Sequence, residues 1–245
     1  MHVNDFQELP DTGNGFTQLP SAAHFSGLSE DEKLPSSERE SLLKNTMKTG
    51  TTTVGLEVDG GVILGTDMRA SFGSMVSSKT VQKVEQVHPH GAITISGSVS
   101  PAQALIRSLQ SEVDLYGIRR GKEMSMQALA TLVGNFLRSG GFFIVVPILG
   151  GVDHEGPHVY SYDAIGGVMK DKYTVSGSGS QFALGLLEQE YEENMSLEEG
   201  RTVAMRALLS AMERDVNSGN GINLAEVTHE GVEIDRYHDL EELPL

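Results

Sequence analysis

Gly50-Thr51-Thr52-Thr53-Val54-Gly55 opens the first stretch of the chain that reads as folded, and the residues directly after it decide the fold. Leu56-Glu57-Val58-Asp59, a Gly60-Gly61 turn and Val62-Ile63-Leu64-Gly65-Thr66-Asp67 alternate as two short strands joined in a hairpin. The threonines therefore begin a strand. Two readings of them stand side by side. Three β-branched residues suit a pleated edge without any chemistry. Cutting after Gly50 would instead leave an N-terminal threonine, a hydroxyl nucleophile beside an α-amine that titrates near pH ~8 and can serve as its base. Gly50 suits a bond contorted for cutting from within, because glycine tolerates backbone angles that other residues avoid.

On the N-terminal side, residues 1–49 carry Pro10, Pro20 and Pro35 among Ser, Asp, Glu and Asn with no sustained helical or strand period. The expectation is a disordered leader over 1–50, removed on maturation, and one folded domain over 51–245. The chain of 245 residues holds 34 acidic and 18 basic side chains, a formal charge of -16. Eight of the acids and four of the bases lie in the first fifty residues, so the acidity belongs mainly to the folded part. That balance argues against nucleic acid as a ligand and suits either a solvated surface or work in high salt. There is no cysteine, which removes disulfides, thiolate metal sites and a cysteine nucleophile. No run approaches the roughly 18 apolar residues of a membrane span, and no signal sequence is recognisable. The expectation is a soluble cytoplasmic protein.

On the C-terminal side, strands are expected over 51–59 and 62–69, a polar connection over 71–79, and strands over 81–87 and 92–96 on either side of a His-Pro-His-Gly turn. Ser100-Pro101-Ala102-Gln103 starts a helix running to about Tyr116, and Ser125 opens a second that Gly140-Gly141 ends. The apolar run 142–149 reads as a buried strand, followed by strands over 159–162 and 173–176. Helices come next over 181–193 and from Ser196 towards Asp215, and the last strands cover 222–228 and 232–237. Runs of strands separated by pairs of helices point to helices packed outside antiparallel sheets.

Several familiar constellations fall away. His154 and His158 are separated by Gly156-Pro157, which prevents a helix from presenting both on one face. Gly177-Ser178-Gly179 lacks the third glycine of a dinucleotide fingerprint, since position 182 is Phe182, and no GxSxG elbow is present. What remains is Thr51 with charges placed on strands. Alternation puts Val81, Lys83, Glu85 and Val87 on one face, so Lys83 is expected to be partly buried and to need a partner. Asp67 can supply it. Such a pair is either structural, or, if placed near Thr51, a means of favouring the neutral amine and the developing alkoxide.

Taken together, Gly50 to Gly55, Gly65-Thr66-Asp67-Met68-Arg69-Ala70, Lys83, Ser96-Gly97-Ser98, Gly177-Ser178-Gly179-Ser180 and Glu213-Arg214-Asp215 with Ser218-Gly219 closely resemble the proteasome β subunits of archaea. The order and spacing carry the likeness, from Thr51 to the last strand. The acidic balance is similar to that of subunits from salt-loving archaea. The resemblance implies an α+β fold, the four-layer αββα sandwich of the N-terminal-nucleophile hydrolases, and self-cleavage of the Gly50-Thr51 bond. It implies Thr51 as nucleophile, Lys83 lowering proton affinities around it, Asp67 orienting Lys83, the Gly97 N–H facing the oxyanion, and Ser178, Asp215 and Ser218 holding the amine and a water. Ala70, Val81, Ile95, Val99 and Gln103 resemble the specificity pocket, mostly apolar and without a charged floor, which favours cleavage after hydrophobic residues. No cofactor and no metal are implied. The partners implied are heptameric β rings, of one or several chains, stacked on proteasome α rings, a regulatory ATPase, and unfolded proteins as substrates. The competing readings are a non-catalytic ring subunit, the related two-ring bacterial peptidase, and an amidohydrolase of the same fold.

Overall fold

The computed structural model describes residues 50–97, 99–138, 145–163 and 166–244. The expected leader, apart from Gly50, lies outside them, as do Ser98, the Gly140-Gly141 helix stop and residues 142–144 of the apolar run.

The opening hairpin pairs β1 (Thr52–Val58) with β2 (Gly61–Asp67), turning at Asp59-Gly60. Every residue of both strands is buried. That is the signature of strands covered on both faces, and the contacts show what covers them. On β2, Ile63 packs with helices, whereas Val62 and Leu64 point to a second sheet. The first sheet has the order β10-β1-β2-β11-β12, with β10 at Tyr173–Gly177, β11 at Ile222–Thr228 and β12 at Gly231–Tyr237. The second has the order β5-β6-β7-β8-β9: Val84–His88, Gly91–Thr94, Ile148–Asp153, Gly156–Tyr162 and Val168–Asp171. All pairings are antiparallel.

Between the sheets lie Val62, Leu64, Val84, Ala92, Ile148, Val159, Ala225 and Val227. The sheets approach closely there. A Cβ at Gly55 would come within 2.8 Å of Ile148 Cγ2, so the glycine is required for space. Outside the second sheet, helices α1 (Val99–Arg120) and α2 (Met126–Arg138) bury Leu105, Leu109, Leu129 and Val133 against Ile93 and Leu149. Outside the first, α3 (Ser180–Glu190) and α4 (Leu197–Arg214) bury Leu187 and Leu208 against Leu56, Ile63 and Leu224. Each fully buried leucine of this kind contributes about 1.5–3 kcal/mol. Four layers result, helix–sheet–sheet–helix, the expected αββα sandwich.

Several boundaries differ from expectation. Helix α1 continues to Arg120, because nothing stops it before Gly121 takes a positive φ of 64° beyond its end. It also begins at Val99 rather than after Ser100. Residues 71–79 are a small two-stranded hairpin, β3 (Ala70–Phe72) and β4 (Met75–Ser78), turning at Gly73. The expected strand over 81–87 begins only at Val84. Before it, Val81 N donates to Met68 O and Asn223 Nδ2 donates to Val81 O, so this segment is held by loops rather than by a ladder. Strand β7 starts after Pro147 and runs on through Gly150-Gly151 to Asp153. Strand β9, exposed along its length at the sheet edge, has no strong sequence signal. The Ser196 cap is present as a full capping box with Glu199.

Candidate active site

Thr51 stands one residue ahead of β1, and its neighbours are set by the pairing of that strand. Thr53 lies opposite Thr66, which brings the end of β2 beside Thr52. Asp67, fully buried, accepts the Thr52 N–H on Oδ1 (3.0 Å) and the Arg69 and Gly219 N–H groups on Oδ2 (2.9 and 3.0 Å). Three backbone donors thus fix one carboxylate. Its remaining partner is Lys83, whose Nζ is 2.7 Å from Oδ1 and donates to Thr51 Oγ1 at 2.9 Å. The Lys83 backbone is tied by Ile95 N–H donating to its carbonyl, just beyond the β5–β6 ladder.

Lys83 and Asp67 are side chains of 6% and 0% exposure. Burial pushes the Lys83 ammonium below its ordinary value, against the opposing pull of the Asp67 carboxylate. The lysine is therefore closer to losing its proton than a surface lysine, while its hydrogen bond aims it at the threonine oxygen.

A second limb comes from the other end of the chain. Asp215 caps α4, and its Oδ2 accepts the hydroxyls of Ser178 (2.6 Å) and Ser218 (2.7 Å). Ser178 Oγ accepts the Thr51 N–H at 3.2 Å, and Ser218 Oγ lies 2.7 Å from Thr52 Oγ1. The loop carrying Asp215 and Ser218 is pinned by Arg69, which donates to Asn220 Oδ1 and to the Val216 carbonyl. Sequence reasoning misses this role of Arg69. Its only sequence signal is its place two residues after Asp67.

Gly97 takes a positive φ of 110° and bridges to Val145. Ser96 Oγ donates to Val146 O at 2.6 Å and holds that segment. Gly97, Thr51 and Lys83 share a cavity of about 640 Å³ with Ala70, Val81, Ile95 and Gln103. The Val99 side chain lies outside the described residues. The expected absence of a charged floor needs correction, since Glu85 and Arg236 also line this cavity. Strand alternation already places Glu85 on the Lys83 face. Arg236, on β12, gives no sequence signal. Burial raises the Glu85 carboxyl, with Arg236 opposing.

Gly50 has a reason beyond the expected one. A Cβ there would meet Asn217 Cβ at 1.9 Å, so the demand is for room. Elsewhere, His158 Nε2 lies 2.8 Å from Asp153 Oδ1 and His154 is exposed, and among the described residues no three ligating side chains converge on a metal position. No helix among them is long and apolar enough to cross a membrane.

Helices outside two facing antiparallel sheets, closing on a threonine at the head of a central strand, make this the fold of an N-terminal-nucleophile hydrolase. Within that class, the chain belongs to the proteasome subunit family, whose profile matches residues 47–227. It is 65% identical over 196 residues to a proteasome β subunit of Haloquadratum walsbyi, covering 80% of this chain and 81% of the relative. It is 64% identical to one of Haloferax volcanii over the same shares. It is 57% identical over 199 residues to proteasome β subunit 2 of Haloarcula marismortui, covering 81% and 86%.

Proposed function

We propose that this chain is a catalytic β subunit of the proteasome core particle, a threonine endopeptidase that matures by cutting its own Gly50-Thr51 bond. The observation that carries the proposal is the line Asp67–Lys83–Thr51, with Lys83 Nζ 2.7 Å from the carboxylate and 2.9 Å from the hydroxyl. It also weighs against a non-catalytic ring subunit, which has no use for a buried cation aimed at a hydroxyl.

In the uncut chain the Thr51 nitrogen is an amide and cannot act as a base. Neutral Lys83 takes the proton as Thr51 Oγ1 adds to the Gly50 carbonyl carbon through a five-membered ring. The intermediate collapses with protonation of the Thr51 nitrogen, giving an ester between Gly50 and the hydroxyl. Water hydrolyses that ester, releasing the leader as a carboxylate and leaving a free α-amine. The amine remains beside Ser178, and from there it joins Lys83 in proton transfer for each later substrate. The hydroxyl attacks the substrate carbonyl, the leaving amine departs protonated, and water clears the acyl ester. The Gly97 N–H donates to the oxyanion, a preorganised donor worth about 3 kcal/mol. Ser218 and Asp215 hold Ser178 and the amine in place.

Ala70, Val81 and Ile95 give the cavity apolar walls that accept a hydrophobic side chain before the cut. Glu85 and Arg236 add a polar side to it. The chain works in seven-membered β rings stacked on α rings, in the cytoplasm, on unfolded chains delivered by an ATPase.

Assembled particles treated with a peptide carrying a C-terminal vinyl sulfone are expected to gain one adduct per β chain. Tandem mass spectrometry is expected to place it on the peptide that begins at Thr51. An adduct only on other residues, or none while peptide hydrolysis continues, contradicts the assignment.

A further inference from the structure

Two hydrogen-bonded arms flank the Gly50-Thr51 bond, one running through Ser178 and the other through Ser71 and Asn217. On the threonine side, the Thr51 N–H donates to Ser178 Oγ (3.2 Å), whose hydroxyl donates to Asp215 Oδ2 (2.6 Å). On the leader side, the Gly50 N–H donates to Ser71 Oγ (3.2 Å), and the Ser71 hydroxyl donates to Asn217 Oδ1 (3.0 Å). Asn217 closes the path by donating from its backbone N (3.2 Å) and its Nδ2 (3.4 Å) to Asp215 Oδ1. The two arms end on the two oxygens of one carboxylate.

We propose that Ser71 and Asn217 are positioning residues for self-cleavage, a clamp that acts on the leader and loses its object once Gly50 has gone. The inference rests on the self-cleavage reading under Proposed function and adds to it the residues that hold the leader.

The physical argument starts from the backbone. Glycine is the residue with the widest choice of ψ, so an unrestrained Gly50 would turn its carbonyl through many orientations. The separation of the nitrogens on either side of a residue is set by its ψ. Holding the Gly50 and Thr51 nitrogens at once therefore fixes the magnitude of ψ at Gly50, and the directions of the two N–H bonds select its sign and so the face of the carbonyl carbon offered to Thr51 Oγ1. Ser71 is itself only 4% exposed, so its hydroxyl is kept in one orientation by the partner it has. The clamp also closes on the space a side chain would need. A Cβ on residue 50 would lie 1.9 Å from Asn217 Cβ, 2.5 Å from Asn217 Cγ and 2.7 Å from Ser178 Oγ. The same contacts that orient the carbonyl thus exclude every residue but glycine before the cut.

The test tracks conversion of the full chain to the Thr51-terminated form by intact mass during particle assembly. Both Asn217→Ala and Ser71→Ala are expected to lengthen the half-time of cleavage by about tenfold or more, the scale expected when a reacting group is poorly oriented. Peptide turnover per Thr51-terminated chain in the Asn217→Ala particle is expected to fall much less than leader cleavage does, because alanine keeps the backbone N–H on Asp215 and loses only the long 3.4 Å side-chain contact to it. Ser71 and Asn217 lie on separate elements, so one variant remains informative where the other does not assemble. Cleavage at the parent rate in both variants overturns the clamp. So does a fall in turnover that matches the fall in cleavage, since that locates the defect in the mature site. Thr51→Ala separates the two readings. If its leader is removed at the parent rate, self-cleavage itself fails. If it stays uncut while the clamp variants mature normally, only the clamp fails.

Discussion

A Thr51→Ala particle is expected to assemble, to keep its leader, and to hydrolyse peptides at least about 10⁴-fold more slowly than the parent, because in the proposed mechanism the change removes the attacking oxygen of both reactions. The loss belongs to chemistry rather than to folding. Thr51 precedes β1, makes no ladder pairing of its own, and contributes to the site its Oγ1 on Lys83 and its N–H on Ser178. Alanine retains the Cβ and the N–H. Its surroundings, Asp67 with three backbone donors and the Asp215 cluster, are complete without the hydroxyl. Fluorogenic peptide cleavage, with particle size measured on the same sample, checks the expectation. Activity that survives in a correctly assembled particle places the nucleophile elsewhere.

Lys83 carries the second large effect, and two substitutions separate its possible roles. Lys83→Ala removes the cation and the proton acceptor, and is expected to reduce both leader cleavage and peptide turnover by on the order of 10³-fold. It also leaves Asp67 buried without a counter-charge, a change that typically costs about 3–5 kcal/mol, so particle stability is measured alongside. Lys83→Arg keeps a positive charge but not a group that can be deprotonated at working pH. If Lys83 acted by charge alone, arginine would restore much of the rate. The proton-transfer account predicts that it does not. The same account sets the sign of the pH dependence. Burial lowers the Lys83 pKa relative to an ordinary lysine, and the neutral fraction grows as pH rises towards that lowered value. Leader cleavage is therefore expected to accelerate with rising pH across the neutral to mildly alkaline range. A rate independent of pH there, together with rescue by arginine, contradicts the role.

Much of this arrangement is legible in the sequence because it depends on local patterns. The hairpin around Gly60-Gly61, the amphipathic period of Met126, Leu129, Val133 and Leu137, and the Ser196-Glu199 box are each written in a few adjacent residues. The pairing of Asp67 with Lys83 is legible as a need of a buried lysine, although Lys83 lies just ahead of β5 rather than within a strand. Other features have long-range causes. Whether residues 81–83 join a strand depends on Asn223 and Met68, which compete for their backbone groups from distant loops. Arg236 reaches the cavity only because β12 lies at the edge of the first sheet. Asn217 matters because its loop folds back over Gly50, a contact spanning most of the domain. Nothing beside Gly50 in sequence announces it, so the need for space at that glycine is not legible there.

The N-terminal sequence and intact mass of the chain, taken from fully assembled particles, test the central claim most directly. The account predicts a chain that begins at Thr51 with a free α-amine and has lost everything through Gly50. A chain that still begins at Met1 in particles that cleave peptides would contradict it, and the catalytic threonine would then have to lie on another subunit.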